Sequence, residues 1–83
     1  MAYMPAFTDK MQKELAFRKK RDRATYNQAM KKIADVLENP DIGKPQRAPL
    51  VGIRRFHVGP LIITYKINEE KHEVTFDSFE HHE

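Results

Sequence analysis

Residues 53–67 read IRRFHVGPLIITYKI, and this stretch decides the fold. Two runs of alternating character, IRRFHV and LIITYKI, are separated only by Gly59-Pro60. Glycine at the first central position of a two-residue loop supplies positive φ, and proline at the second fits a type II′ hairpin turn. That turn fixes the register: Val58 opposite Leu61, His57 opposite Ile62, Phe56 opposite Ile63 and Arg55 opposite Thr64. One face then carries Phe56, Val58, Leu61, Ile63, Tyr65 and Ile67, a core. The other carries Arg55, His57, Ile62, Thr64 and Lys66.

A third strand, EVTFDSF, is expected to return after the turn NEEK. The expected pairing puts Glu73 opposite Lys66, Val74 opposite Tyr65 and Phe76 opposite Ile63, with Glu73 and Lys66 as a cross-strand ion pair. Thr75 and Asp77 join the face of Arg55 and His57.

Upstream the period lengthens. In TDKMQKELAFRKKRD (residues 8–22), Thr8 and Asp9 supply caps, and Met11 and Leu15 fall one turn apart on a buried side. The charges at Arg18, Lys19, Lys20 and Arg21 point all round a helix, so that end is expected to be solvated. A second helix runs from Arg23 to Glu38, with Tyr26, Met30, Ile33 and Leu37 as a narrow apolar stripe. Asn39-Pro40 stops it, because the residue before proline disfavours helix. AYMPAF (residues 2–7) is at most an edge strand, broken by Pro5. Residues 40–52, with three of the five prolines, form a loop. The expected fold is α+β: an N-terminal helical hairpin packed on a small antiparallel β-sheet meander, with residues 1–83 as one domain.

Composition narrows the function. The chain has 83 residues, 33% charged and 40% hydrophobic, and no apolar stretch approaches the roughly 20 residues that span a bilayer. No secretory pattern follows Met1, and there is no cysteine, so a reducing cytoplasm is the expected location, without membrane association. Residues 1–60 hold 13 Lys/Arg against 6 Asp/Glu, and residues 61–83 hold 2 against 6; +7 and −4 give the net +3. Such a split fits a basic surface for a polyanion or, equally, a solvated helix face.

The sheet face with Arg55 and His57, beside a basic loop from Lys44 to Arg47, suits a phosphate-bearing ligand. RNA cleavage needs a base for the 2′-hydroxyl proton, an acid for the departing 5′-oxygen, and fixed cations for the phosphorane charge. Histidine serves as base or acid near neutral pH, and the arginine fork matches phosphate. His57 stands mid-sheet, and the closing FEHHE (residues 79–83) adds His81 and His82. Adjacent residues on an extended chain point to opposite sides, so these two do not share a metal, and no standard ligand spacing occurs. No metal and no cofactor are expected. An exposed aromatic stacking platform, usual in single-strand binders, is not evident.

Three stretches, LENPDIGKPQRAPLVGIRRFHVG (residues 37–59), LIITYKINEE (residues 61–70) and FEHH (residues 79–82), resemble the RelE/ParE toxin superfamily of toxin–antitoxin modules. Its members show an NP pair closing the second helix, a GKPLRG loop, RRYRVGDYRVIY and a closing GHR followed by tyrosine. The resemblance implies a small cytoplasmic toxin, monomeric or assembled with a cognate antitoxin that covers the open sheet face and the groove beside the helices. The RelE-like branch cuts mRNA in the ribosomal A site; the ParE-like branch inhibits DNA gyrase without nuclease chemistry. Carried over by position, Arg47 matches the loop arginine, Arg55 and His57 the two basic strand positions, and His82 the arginine of the closing motif. These four are the catalytic candidates for a ribosome-dependent mRNA endonuclease, with Lys19, Lys20, Arg21, Lys44 and Arg54 as RNA contacts. The alternative is a non-nuclease toxin, gyrase-directed or catalytically decayed. Ile62 favours it, replacing the arginine of YRVIY, and so does the absence of the closing tyrosine from residues 1–83.

Overall fold

The computed structural model describes residues 2–47, 49 and 52–81. Two helices pack on one face of a five-stranded mixed sheet. In chain order the elements are β1 (Met4–Phe7), α1 (Asp9–Arg21), α2 (Arg23–Glu38), a 3₁₀ turn (Pro40–Ile42), β2 (Lys44–Pro45), β3 (Ile53–Val58), β4 (Leu61–Asn68) and β5 (Glu73–His81). The strand order is β1-β5-β4-β3-β2. No described helix is long and apolar enough to cross a membrane.

The β3–β4 register is the one Gly59-Pro60 requires, from Val58 opposite Leu61 to Arg55 opposite Thr64. Gly59 has φ +60°, as the first position of a type II′ turn demands. The β4–β5 register differs from expectation. Asn68 faces Glu73, Lys66 faces Thr75 and Tyr65 faces Phe76, two residues out of the expected register. The expected pairing needs Glu69-Glu70 as a two-residue turn, and neither tolerates positive φ well. The chain instead uses four loop residues. The Asn68 Oδ1 accepts the Lys71 N–H at 3.1 Å, and His72 takes the left-handed conformation at φ 53°. The expected Glu73–Lys66 pair is therefore absent, because their strand positions are offset.

A bulge then shifts the register again. Tyr65 pairs with Phe76 but Thr64 with Ser78, which leaves Asp77 as the extra residue. Ser78, not Asp77, joins the open face, and Phe79 enters the core opposite Ile63.

The two edge strands extend the meander. β1 lies parallel to β5, and β2 pairs with β3 inside the stretch expected to be loop. Both are short and contain proline, which edges tolerate. The core gathers Met11, Ala29, Ile33, Val36, Val58, Leu61, Ile63, Tyr65, Val74, Phe76 and Phe79. On α2 the buried line is Ala29, Ile33 and Val36, with Met30 and Leu37 at its rim, so the expected stripe is shifted by part of a turn. Thr8 caps α1, its Oγ1 accepting the Met11 N–H at 3.1 Å. Asn39 ends α2 and its Oδ1 accepts the Asp41 N–H at 3.3 Å.

Candidate nucleic-acid interface

The sheet face away from the helices is built by pairing. One row across it runs Lys44, Arg55, Thr64, Ser78, each the Cα partner of the next. The neighbouring row holds His57, Ile62 and Glu80. Alternation puts Arg55 and His57 on this face because Phe56 and Val58 must enter the core.

Two features of the first row are energetically unfavourable in isolation. Lys44 and Arg55 are like charges placed directly across two strands, an arrangement that destabilises a sheet. The Arg55 Nε is buried and, among the described residues, no group accepts its hydrogen bond. An unmet buried donor costs free energy. An anion between the two cations would relieve both. Beside them the Thr64 and Ser78 hydroxyls form a 2.6 Å hydrogen bond, and Ser78 is 8% exposed.

His57 is exposed on β3, and the end of that strand, His57 to Gly59, borders a groove of about 360 Å³ also lined by Gln28, Lys31, Lys32 and Asp35 of α2. Lys31 and Lys32 share this groove with the end of β3, a neighbourhood that no local sequence pattern announces. Ile62, between His57 and Glu80, is 8% exposed, so the middle of the face is apolar. Glu80 forms a 2.7 Å ion pair with Lys10.

The remaining candidates divide. Arg47 is exposed beyond Gln46, whose N–H donates to the Ile53 carbonyl at 2.9 Å and prolongs the β2–β3 pairing. Arg54 stands opposite Tyr65, on the helix side of the sheet. Its Nη1 donates to the carbonyls of Gly43 at 2.6 Å and Asp41 at 3.1 Å, and its Nη2 lies 3.6 Å from the Asp41 carboxylate. It thus ties down the loop that carries Lys44. His81 stands opposite Leu61, whose side chain is in the core. His82 lies outside the described residues.

On α1, Lys19, Lys20 and Arg21 are all exposed, and the Lys19 ammonium lies 5.9 Å from the Tyr26 ring centroid. Arg18 departs from the expected solvated end: its guanidinium sits 5.7 Å from the ring of buried Phe79. Among the described residues, no group of three or more His, Asp or Glu could hold a metal ion.

Tyr65 is held for structural use. Its hydroxyl donates to the Pro40 carbonyl at 2.6 Å and accepts the Gly43 N–H at 2.9 Å, and burial raises its pKa.

Residues 6–83 match the family described as ParE toxin of type II toxin-antitoxin system. The chain belongs to the RelE/ParE toxin family. A relative in Methanocaldococcus jannaschii, named "Putative toxin RelE4", is 30% identical over 96% of this chain and 82% of its own length. An uncharacterised protein of Methanosarcina mazei is 32% identical over 63% of this chain, and the match spans 62% of that relative's length. Among solved structures, the isolated Escherichia coli RelE toxin superposes with a TM-score of 0.81 at 26% identity, covering 99% of this chain and 86% of that one. The RelBE2 toxin–antitoxin complex of Mycobacterium tuberculosis gives 0.78 at 25% identity, covering 99% of this chain and 100% of that one. The toxin family and the α+β fold agree with the resemblance read from the sequence.

Proposed function

We propose that this RelE/ParE toxin is a ribosome-dependent mRNA endonuclease, cytoplasmic and held inactive by a cognate antitoxin. The observation that carries the reading is Arg55, paired directly across the strands with Lys44 and with its Nε buried without an acceptor among the described residues. Two cations set across neighbouring strands, one of them with an unmet donor, suit a phosphate whose charge grows in the transition state. In the reaction a base takes the proton of the 2′-hydroxyl and the O2′–P bond forms. The P–O5′ bond breaks, and an acid protonates the leaving oxygen. The products are a 2′,3′-cyclic phosphate and a 5′-hydroxyl. His57 and His82 are assigned the acid and base roles, with Arg55 and Arg47 on the phosphate. Lys44 and the exposed Lys20 and Arg21 contact RNA backbone, Lys19 stands at the edge of that patch, and Arg54 positions the loop. The RelBE2 likeness supports an antitoxin partner, for which the sheet face and the α2 groove are the assigned surface.

A second reading, a gyrase-directed or non-nuclease toxin, draws on the ParE description of the matched family and on Ile62 in place of an arginine. Primer extension on mRNA from a reconstituted translation reaction separates the two. Cuts at the A-site codon that vanish in Arg55→Ala and His82→Ala establish the endonuclease. Intact message at ribosome-equivalent toxin rejects it in favour of the second reading.

A further inference from the structure

Although no stacking platform is evident in the sequence, one aromatic side chain is open to solvent. Phe17 is 52% exposed on α1, although the helix buries Met11 and half-buries Leu15. Its neighbours one turn away are Lys13 at i−4, Lys20 at i+3 and Arg21 at i+4, all exposed, and the half-buried Glu14 at i−3. The ring therefore stands inside a fence of three cations with one acid. Behind it lies Arg18, whose guanidinium carbon is 5.4 Å from the Phe17 ring centroid and 5.7 Å from that of Phe79. The Arg18 Nε is buried without a hydrogen-bond partner among the described residues, and the guanidinium lies against both rings. Arg18 thus lies against the Phe17 ring, about half of whose residue surface is open to solvent.

We infer that Phe17, fenced by Lys13, Lys20 and Arg21, is a stacking platform for an unpaired RNA base. Every base offers a π-face, and the flanking cations meet the phosphates on either side of it. A protein partner would use the same apolar ring but would need matching acidic groups for three cations. The platform lies on α1, on the helix side of the sheet, so the base it takes is not the nucleotide at Arg55. The identity of that RNA as ribosomal rests on the endonuclease reading above.

The test compares wild type, Phe17→Leu and Phe17→Trp for affinity to purified ribosomes and to a fluorescein-labelled single-stranded RNA of about 12 nucleotides. Leucine keeps apolar area at an exposed position but has no π-face. We expect Phe17→Leu to weaken both affinities roughly tenfold or more and Phe17→Trp to restore them. The salt slope should stay unchanged in both, because no phosphate contact is lost, whereas Lys20→Ala should lower it by about one. Equal affinity of Phe17→Leu and wild type for both RNAs overturns the inference and leaves the face to a protein partner. If wild type ignores ribosomes while the oligonucleotide still separates leucine from tryptophan, the platform stands and the ribosomal reading falls.

Discussion

The hydroxyl of Tyr65 and the backbone of Gly43 are built around each other. The Gly43 N–H donates to the Tyr65 oxygen at 2.9 Å, and a Cβ on Gly43 would overlap that oxygen and lie 2.7 Å from Cε1 and Cζ of the ring. Glycine is required here for close approach, since its φ of −73° is open to any residue. The contact holds Lys44, the next residue, at the start of β2 and hence across from Arg55. A core tyrosine thus sets the position of a surface cation.

Removing the hydroxyl should therefore be felt on both sides of the sheet. Tyr65→Phe leaves the Gly43 N–H and the Pro40 carbonyl unmet, which we expect to cost about 1–3 kcal/mol. Gly43→Ala should destabilise more in the wild-type background than beside Tyr65→Phe, where the nearest obstructing atom is gone. Urea denaturation of the two single variants and the double variant measures this; strict additivity would contradict it.

Arg55 should sacrifice stability for function. Arg55→Met removes a like-charge neighbour of Lys44 and an unmet buried Nε while keeping an apolar stem of similar reach. We expect stability to rise by about 1 kcal/mol, or ~4–8 °C in melting temperature for a domain this size. RNA cleavage should fall roughly 10²–10³-fold, the loss typical of one preorganised donor. A variant that melts lower than wild type would show that Arg55 supports the fold instead.

Ile62 is the natural site for a gain. Ile62→Arg places a further cation between His57 and Glu80, with the aliphatic stem covering the buried position and the head reaching outward. Single-turnover cleavage should rise, by up to roughly 10²-fold if the missing donor is what limits the rate. Unchanged cleavage would mean that the face is already complete without it.

The junction between the helices gives a pH dependence. Asp22 caps α2, its Oδ1 accepting the Thr25 N–H at 3.2 Å and its Oδ2 the Thr25 hydroxyl at 2.6 Å. The Thr25 hydroxyl, the Thr25 N–H and the Arg18 charge lower the Asp22 pKa below its usual 3.8. A depressed folded-state value means the ionised cap stabilises above the unfolded value, and that contribution fades as pH falls through the folded one. Wild type should exceed Asp22→Asn in melting temperature near pH 7 and converge with it in acid below the usual carboxylate range. Parallel curves down to low pH would refute the assignment.

How far the sequence was legible follows from turn chemistry. Gly59-Pro60 admits one hairpin geometry, so the β3–β4 register and the faces of Arg55 and His57 could be read without coordinates. The β4–β5 turn offered no such residue pair. Its loop depends on the Asn68 side chain and on His72 at positive φ, and the bulge at Asp77 exists so that Phe76 and Phe79 both reach the core. β1 and β2 are too short and proline-rich to show a period. The candidate site was legible where alternation governed it and illegible where tertiary contact did. Nothing local places Lys44 beside Arg55, sends Arg54 to the loop carbonyls, or leaves Phe17 uncovered above Arg18.

The parallel pairing of β1 with β5 has a consequence for biogenesis. Met4 to Phe7 hydrogen-bond alongside Glu73 to Phe76, so one of the first strands to be synthesised finds its neighbour only after β5 has left the exit tunnel. Until then β4 also lacks one partner, and Val74, Phe76 and Phe79 are missing from the interior. A nascent chain short of β5 has helices but no closed sheet to seat them, and contacts of such sequence separation form late. Translation has therefore passed residue 81 before a folded toxin exists.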